Sequence, residues 1–96
     1  MTEPNLTVQD NPDRSRYEIF VDGDLAGYSM YIDRGDARVL LHTVIDPDYE
    51  GHGVGSALAR GALDDVRAKG MSVVARCPFI AEYVTRHDEY ADLLDK

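Results

Sequence analysis

The stretch Glu50-Gly51-His52-Gly53-Val54-Gly55-Ser56 sets alternating glycines ahead of a helical repeat. Glycines let the backbone approach a ligand without Cβ obstruction. A helix start adds unpaired N–H groups and a positive dipole end. Together they suit a phosphate or pyrophosphate held by main-chain N–H groups, with no lysine required. A P-loop is excluded, because no Gly-Lys-Ser/Thr follows, and a dinucleotide fingerprint fits poorly, because Ser56 stands where a third glycine belongs. A tight, closely packed strand-to-helix connection explains the same glycines. Cys77 directly precedes Pro78, the first position of an expected helix. The dipole favours a thiolate there, and thus a nucleophile; a small buried hydrophobe is the plainer role. His42 lies on an apolar strand. Its side chain suits a general base and equally a hydrogen-bonded core-edge histidine. Tyr83, about one helical turn past Cys77, reads first as a tyrosine packing its ring and wetting its hydroxyl. His42, His52, His87 and Cys77 lack metal-site spacing, so no metal is expected.

These residues must be positioned by the elements around them. Leu6 to Gln9 is a short first strand, followed by the turn cluster Asn11-Pro12-Asp13-Arg14-Ser15. Arg16 to Asp22 is rich in β-formers, and Asp22-Gly23 signals a hairpin. Leu25 to Ile32 follows, with Ala26, Tyr28, Met30 and Ile32 on one face. Ala37 to Ile45 is the most apolar strand, and its alternation puts His42 with Leu40 and Val44, opposite Leu41 and Thr43. Val54, Leu58, Ala62 and Val66 recur every four residues, predicting a helix to about Lys69 that Gly70 ends. Met71 to Ala75 reads as a buried strand, Phe79 to His87 as a second helix opened by Pro78, and Ala91 to Leu94 as a closing helical turn. The fold class is α+β: an antiparallel meander leading into one right-handed βαβ unit.

Length and composition bound the rest. Ninety-six residues, 44% apolar and 29% charged, predict a single globular domain over 1–96. A net charge of −8 argues against a general nucleic-acid binder and against an anionic membrane surface. There is no apolar run long enough to span a bilayer and no signal-peptide pattern. A lone cysteine excludes an internal disulfide and makes the cytoplasm the expected compartment. Asp88, Glu89, Asp92 and Asp95 read as a solvated face that could also draw a cationic amine. The oligomeric state stays open, with a monomer sufficient.

From Asp46-Pro47 through Glu50-Gly51-His52-Gly53-Val54-Gly55 to Leu58, the chain resembles the acyl-CoA-binding segment of the GNAT superfamily of N-acetyltransferases. That family's loop runs Gln/Arg-x-x-Gly-x-Gly/Ala, and Glu50 departs from its first position. Arg76-Cys77-Pro78-Phe79, Tyr83 and Arg86-His87-Asp88-Glu89-Tyr90 resemble a minimal one-domain subfamily with a Cys-Pro-Phe box and a His-Pro-Glu-Tyr tail. The resemblance covers roughly Arg16 to Leu94. It implies a mixed sheet whose parallel strands, Leu40–Ile45 and Met71–Arg76, splay around acetyl-CoA. Thr43, Val44 and Ile45 would pair with the pantetheine arm, and N–H groups from His52 to Ser56, with Gly51 and Gly53 to Gly55 clearing the way, would hold the pyrophosphate. It implies transfer of acetyl to a primary amine, on a lysine side chain or a small molecule. His42 or water would take the amine proton, Cys77 would carry the acetyl group or line the thiol, and Tyr83 would protonate the departing thiolate. Val44 replaces an acid of the subfamily, which leaves no carboxylate base there. A non-catalytic acyl-CoA sensor and a protein-interaction domain are the alternatives.

Overall fold

The structure, a computed structural model, describes residues 5–51 and 53–94. Five strands form one sheet in chain order: β1 (Leu6–Asn11), β2 (Arg16–Val21), β3 (Asp24–Arg34), β4 (Ala37–Ile45) and β5 (Ser72–Ala75). The first four are antiparallel neighbours, and β5 pairs with β4 in parallel. The crossover between them is helix α1 (Val54–Ala68), and helix α2 (Pro78–Arg86) follows β5. A 3-10 turn over Asp88–Leu93 ends the described chain, and Leu94 bridges back to Val73. The meander and the βαβ unit are as the sequence predicts. No described helix is long and apolar enough to cross a membrane.

The four-residue repeat of α1 becomes a buried stripe of Val54, Leu58, Ala59, Ala62, Leu63 and Val66. It packs on Tyr17, Ile19, Tyr31 and Leu40 of the sheet and on Ile80 and Val84 of α2. Gly61 brings α1 hard against β1, since a Cβ there would lie 2.6 Å from Val8.

Two slips in the ladder change which side chains face that core. The β2–β3 register shifts between Ile19–Gly27 and Phe20–Leu25, leaving Ala26 extra. The β3–β4 register shifts between Met30–His42 and Tyr31–Leu40, leaving Leu41 extra. An extra residue reverses the alternation beyond it. Ser29 and Tyr31 therefore point into the core, while Tyr28 and Met30 are half-buried and Ile32 is exposed on the other face. Ala26 alone of its expected row is fully buried. On β4 the same reversal puts Thr43, not His42, on the side of Leu40, and His42 is exposed.

One edge of the core is polar. Arg38, 6% exposed, donates to Asp33 at 2.7 Å and to the Tyr17 hydroxyl at 2.8 Å, and pairs with Asp10 at 3.3 Å. Tyr17 donates in turn to Asp65 at 2.7 Å, and Lys69 reaches both Asp10 and Asp65. This network ties β1, β2, β4 and α1 together, and each buried charge in it has a partner.

Candidate functional site

The parallel strands pair only from Ala37–Ser72 to Leu40–Ala75. The Leu40 carbonyl then accepts from two successive groups, Arg76 N–H at 3.1 Å and Cys77 N–H at 2.9 Å. That double bond ends the ladder. Pro78 turns the chain into α2, and β4 continues to Ile45 with one edge left without a strand. The two strands splay, as expected.

The free edge faces the start of α1. Asp46 caps a 3-10 turn over Pro47–Tyr49, accepting from Asp48 N–H at 2.9 Å, and the loop then brings Gly53 to the N-cap with φ +75. The first helical bond runs from Ala57 N–H to the Gly53 carbonyl at 3.0 Å, so the N–H groups of Val54, Gly55 and Ser56 have no helical acceptor. Among the described residues no side-chain cap is present, and no acidic residue occupies the first turn. The positive end of α1 is open to a ligand.

Between edge and helix start lies a cleft of about 390 Å³. Thr43 and Ile45 form its strand wall, and Gly53 to Ser56 its helix wall. A Cβ built on Gly51 or Gly53 meets no atom within 4 Å, so both glycines leave open space in the cleft. Gly55 serves packing instead: a Cβ there would come within 2.9 Å of the Phe79 ring. Tyr49, Glu50 and Phe79 also line the cleft, and the sequence reading missed all three as site residues. Phe79, 41% exposed in the first turn of α2, reaches the cleft through the packing of α2 beside α1, which no sequence window shows. Donors at one end, a strand edge at the other and an apolar ring between them fit a long, flexible ligand with an anionic group. The Glu50 carboxylate is the one element that opposes an anion.

The remaining expected residues lie off the cleft wall. Val44 is exposed on the other face, beside Tyr28 and Leu25. Cys77 is 2% exposed behind Thr43, its Sγ 3.4 Å from Thr43 Oγ1. Tyr83 stacks on the His87 ring at 3.9 Å and borders a neighbouring cavity of about 120 Å³, divided from the cleft by Ser56 and Phe79. Among the described residues its buried hydroxyl makes no hydrogen bond of good geometry, and the Arg60 guanidinium is its polar neighbour. His42 is exposed beside the extra residue of β4. The expectation for His52 falls outside the described residues. Among the described residues, no three His, Cys, Asp or Glu converge as metal ligands.

Comparison with known proteins agrees with this geometry. The family described as GCN5-related N-acetyl-transferase matches residues 16–93. A protein from Staphylococcus aureus described as GCN5-like superposes with a TM-score of 0.70 at 19% identity, over 95% of this chain and 89% of its own. The ribosomal-protein-S18-alanine N-acetyltransferase from Escherichia coli matches with a TM-score of 0.58 at 23% identity, over 62% of this chain. Ribosomal-protein-alanine N-acetyltransferase from Brucella melitensis gives 0.58 at 21%, over 88% of this chain. This chain spans only 39% of the first enzyme's length and 65% of the second's. Curated proteins give no significant match.

Proposed function

Because the chain belongs to the GCN5-related N-acetyltransferases, we propose that it transfers acetyl from acetyl-CoA to a primary amine, on a protein or a small molecule, in the cleft between β4 and α1. The carrying observation is the convergence of two unsatisfied backbone arrays on one cleft: the free β4 edge at Thr43–Ile45 and the uncapped start of α1 at Gly53–Ser56. The first can pair with an amide-bearing arm as an added strand would, and the second can hold a diphosphate.

Bound acetyl-CoA supplies an acetyl thioester: one carbon–nitrogen bond forms, one carbon–sulfur bond breaks, and a proton passes from nitrogen to sulfur. The chain's own groups then have these tasks. The β4 edge orients the arm, so the reacting carbon is held rather than found by diffusion. A main-chain N–H on the unpaired β4 edge would polarise the thioester carbonyl. His42, exposed beside that point, or a water, takes the proton of the amine. Tyr83 returns a proton to sulfur from the adjoining cavity, whose Ser56 and Phe79 walls are shared with the cleft. Cys77, buried off the cleft wall and in contact with Thr43, supports the wall from behind in this reading, and transfer is direct. We place the activity in a reducing cytoplasm, where one free buried thiol persists.

The test is calorimetry with CoA, together with thiol release from acetyl-CoA over an amine panel. Binding with turnover of at least one amine is expected. Binding without acetylation of any amine would leave an acyl-CoA sensor instead, and no binding at millimolar CoA would leave an interaction domain.

A further inference from the structure

The cleft occupies one side of the divergence between β4 and β5. On the other face of the sheet a groove of about 350 Å³ runs up to the same point. Its floor is apolar, made by Val39 and Leu41 of β4, Val74 of β5 and Ile32 of β3. Leu41 is the first β4 residue past the last strand pair, and Arg76 is the first beyond β5. The groove therefore ends where the strands part, with exposed His42 next to it in sequence.

Two arginines, Arg34 and Arg76, line this groove, and both are exposed. Arg16, Arg38, Arg67 and Arg86 each form ion pairs. Among the described residues Arg14, Arg34, Arg60 and Arg76 form none, and of these Arg34 and Arg76 line the groove. Asp33, adjacent to Arg34, does not neutralise it, because both its oxygens are taken by Arg38. A chain of net charge −8 thus leaves two guanidinium groups free over one apolar groove. The acidic residues Glu89 and Asp92 lie elsewhere, against α1 at Arg67. Guanidinium groups over an apolar floor are complementary to a carboxylate on a short carbon skeleton.

Resting on the acyl-transfer reading above, we infer that this groove receives the acceptor and that Arg34 and Arg76 select an amine whose own skeleton carries a carboxylate. The two sources of that chemistry are a free amino acid and an acidic peptide. A cationic polyamine, which the net charge alone would favour, is disfavoured where it has to lie.

The experiment measures thiol release from acetyl-CoA with two matched pairs: β-alanine against β-alaninamide, and the peptide Ala-Glu-Glu against Ala-Gln-Gln, both peptides amidated. The carboxylate member of at least one pair is expected to react about tenfold faster in kcat/KM, as two exposed ion pairs allow. Preference in the first pair identifies the amino acid source, and preference in the second alone identifies the peptide. The double variant R34Q/R76Q should erase the preference, bringing the carboxylate member's kcat/KM level with that of the amide member. A readout without cofactor accompanies it: the acetylated form of the preferred carboxylate acceptor should shift the Arg34 and Arg76 Nε–H signals by NMR. Equal rates within both pairs, a preference that survives the double variant, or arginine signals unmoved by that product at millimolar concentration would each overturn the assignment. Turnover without carboxylate preference overturns this assignment alone, whereas absence of CoA binding overturns the acyl-transfer reading and the assignment with it.

Discussion

The Thr43 hydroxyl lies 3.4 Å from the Cys77 thiol, and Thr43 lines the cleft while the thiol, 2% exposed, does not. A buried thiol off the cleft wall favours direct transfer. Cys77→Ser should lower turnover by less than about tenfold, since a serine keeps the polar contact to Thr43, whereas losing a covalent nucleophile costs a thousandfold or more. Steady-state kinetics with parallel CoA binding checks this. A thousandfold loss at unchanged affinity would move the acetyl group onto Cys77.

Gly53→Ala combines two effects at the N-cap. A φ of +75 strains any L side chain by about 1 kcal/mol, and the Cβ is added at a residue that lines the cleft. CoA affinity should fall roughly tenfold or more, as N–H donors to an anion are blocked. Gly35→Ala, at φ +58 in the β3–β4 turn with equal open space, carries similar strain away from the cleft. It should lower the melting temperature comparably and leave CoA affinity unchanged. Calorimetry and thermal melts on the two variants separate strain from obstruction.

Glu50 places a carboxylate on the wall of a cleft otherwise suited to an anion. Glu50→Gln removes that charge and keeps the shape. CoA should bind about threefold more tightly, the scale of one exposed charge interaction, with a larger gain at low salt. Unchanged affinity across salt concentrations would separate Glu50 from the diphosphate.

Acid stability follows from the Arg38 network. A hydrogen bond from Arg38 holds the Asp33 carboxyl below its ordinary value. Partial burial pushes Asp65 up, but hydrogen bonds from Lys69 and Tyr17 outweigh it and leave its carboxyl lowered as well. The unfolded chain therefore takes up protons first as pH falls. The stabilisation is complete above the unfolded carboxylate value near 4 and drains away as pH drops through the folded values. Melts should be insensitive to these groups from about pH 5 upward and fall steeply below about pH 4. Arg38→Met should lower the melting temperature by roughly 8 °C or more at pH 7, since it strands the partly exposed carboxylates of Asp10, Asp33 and Asp65 around a buried site. It should also flatten the acid slope. A variant as acid-sensitive as the parent would contradict this.

Much of the fold was legible because β4 and α1 carry long, uniform signals. The apolar run Ala37–Ile45 and the four-residue repeat from Val54 map onto the observed β4 and α1 within a residue. The glycine loop was legible for the same reason, since its φ demands are local. The faces of β3 and β4 were not. One extra residue at Ala26 and one at Leu41 leave composition and spacing intact, yet they reverse the alternation and turn His42 outward and Thr43 inward. Such slips are set by pairing with the neighbouring strand, which a single chain segment does not reveal. Phe79 reaches the cleft only because α2 crosses beside the start of α1, a tertiary relationship. The arginine groove is likewise assembled from β3, β4 and the end of β5, and no sequence window contains it.

The most direct measurement is amide chemical-shift perturbation in the full chain titrated with CoA. Saturable shifts are expected at Gly53, Val54, Gly55 and Ser56 and along Thr43 to Ile45, with Gly35 and the β1–β2 hairpin unmoved. Shifts centred away from these two backbone arrays, or none at millimolar CoA, would contradict the account.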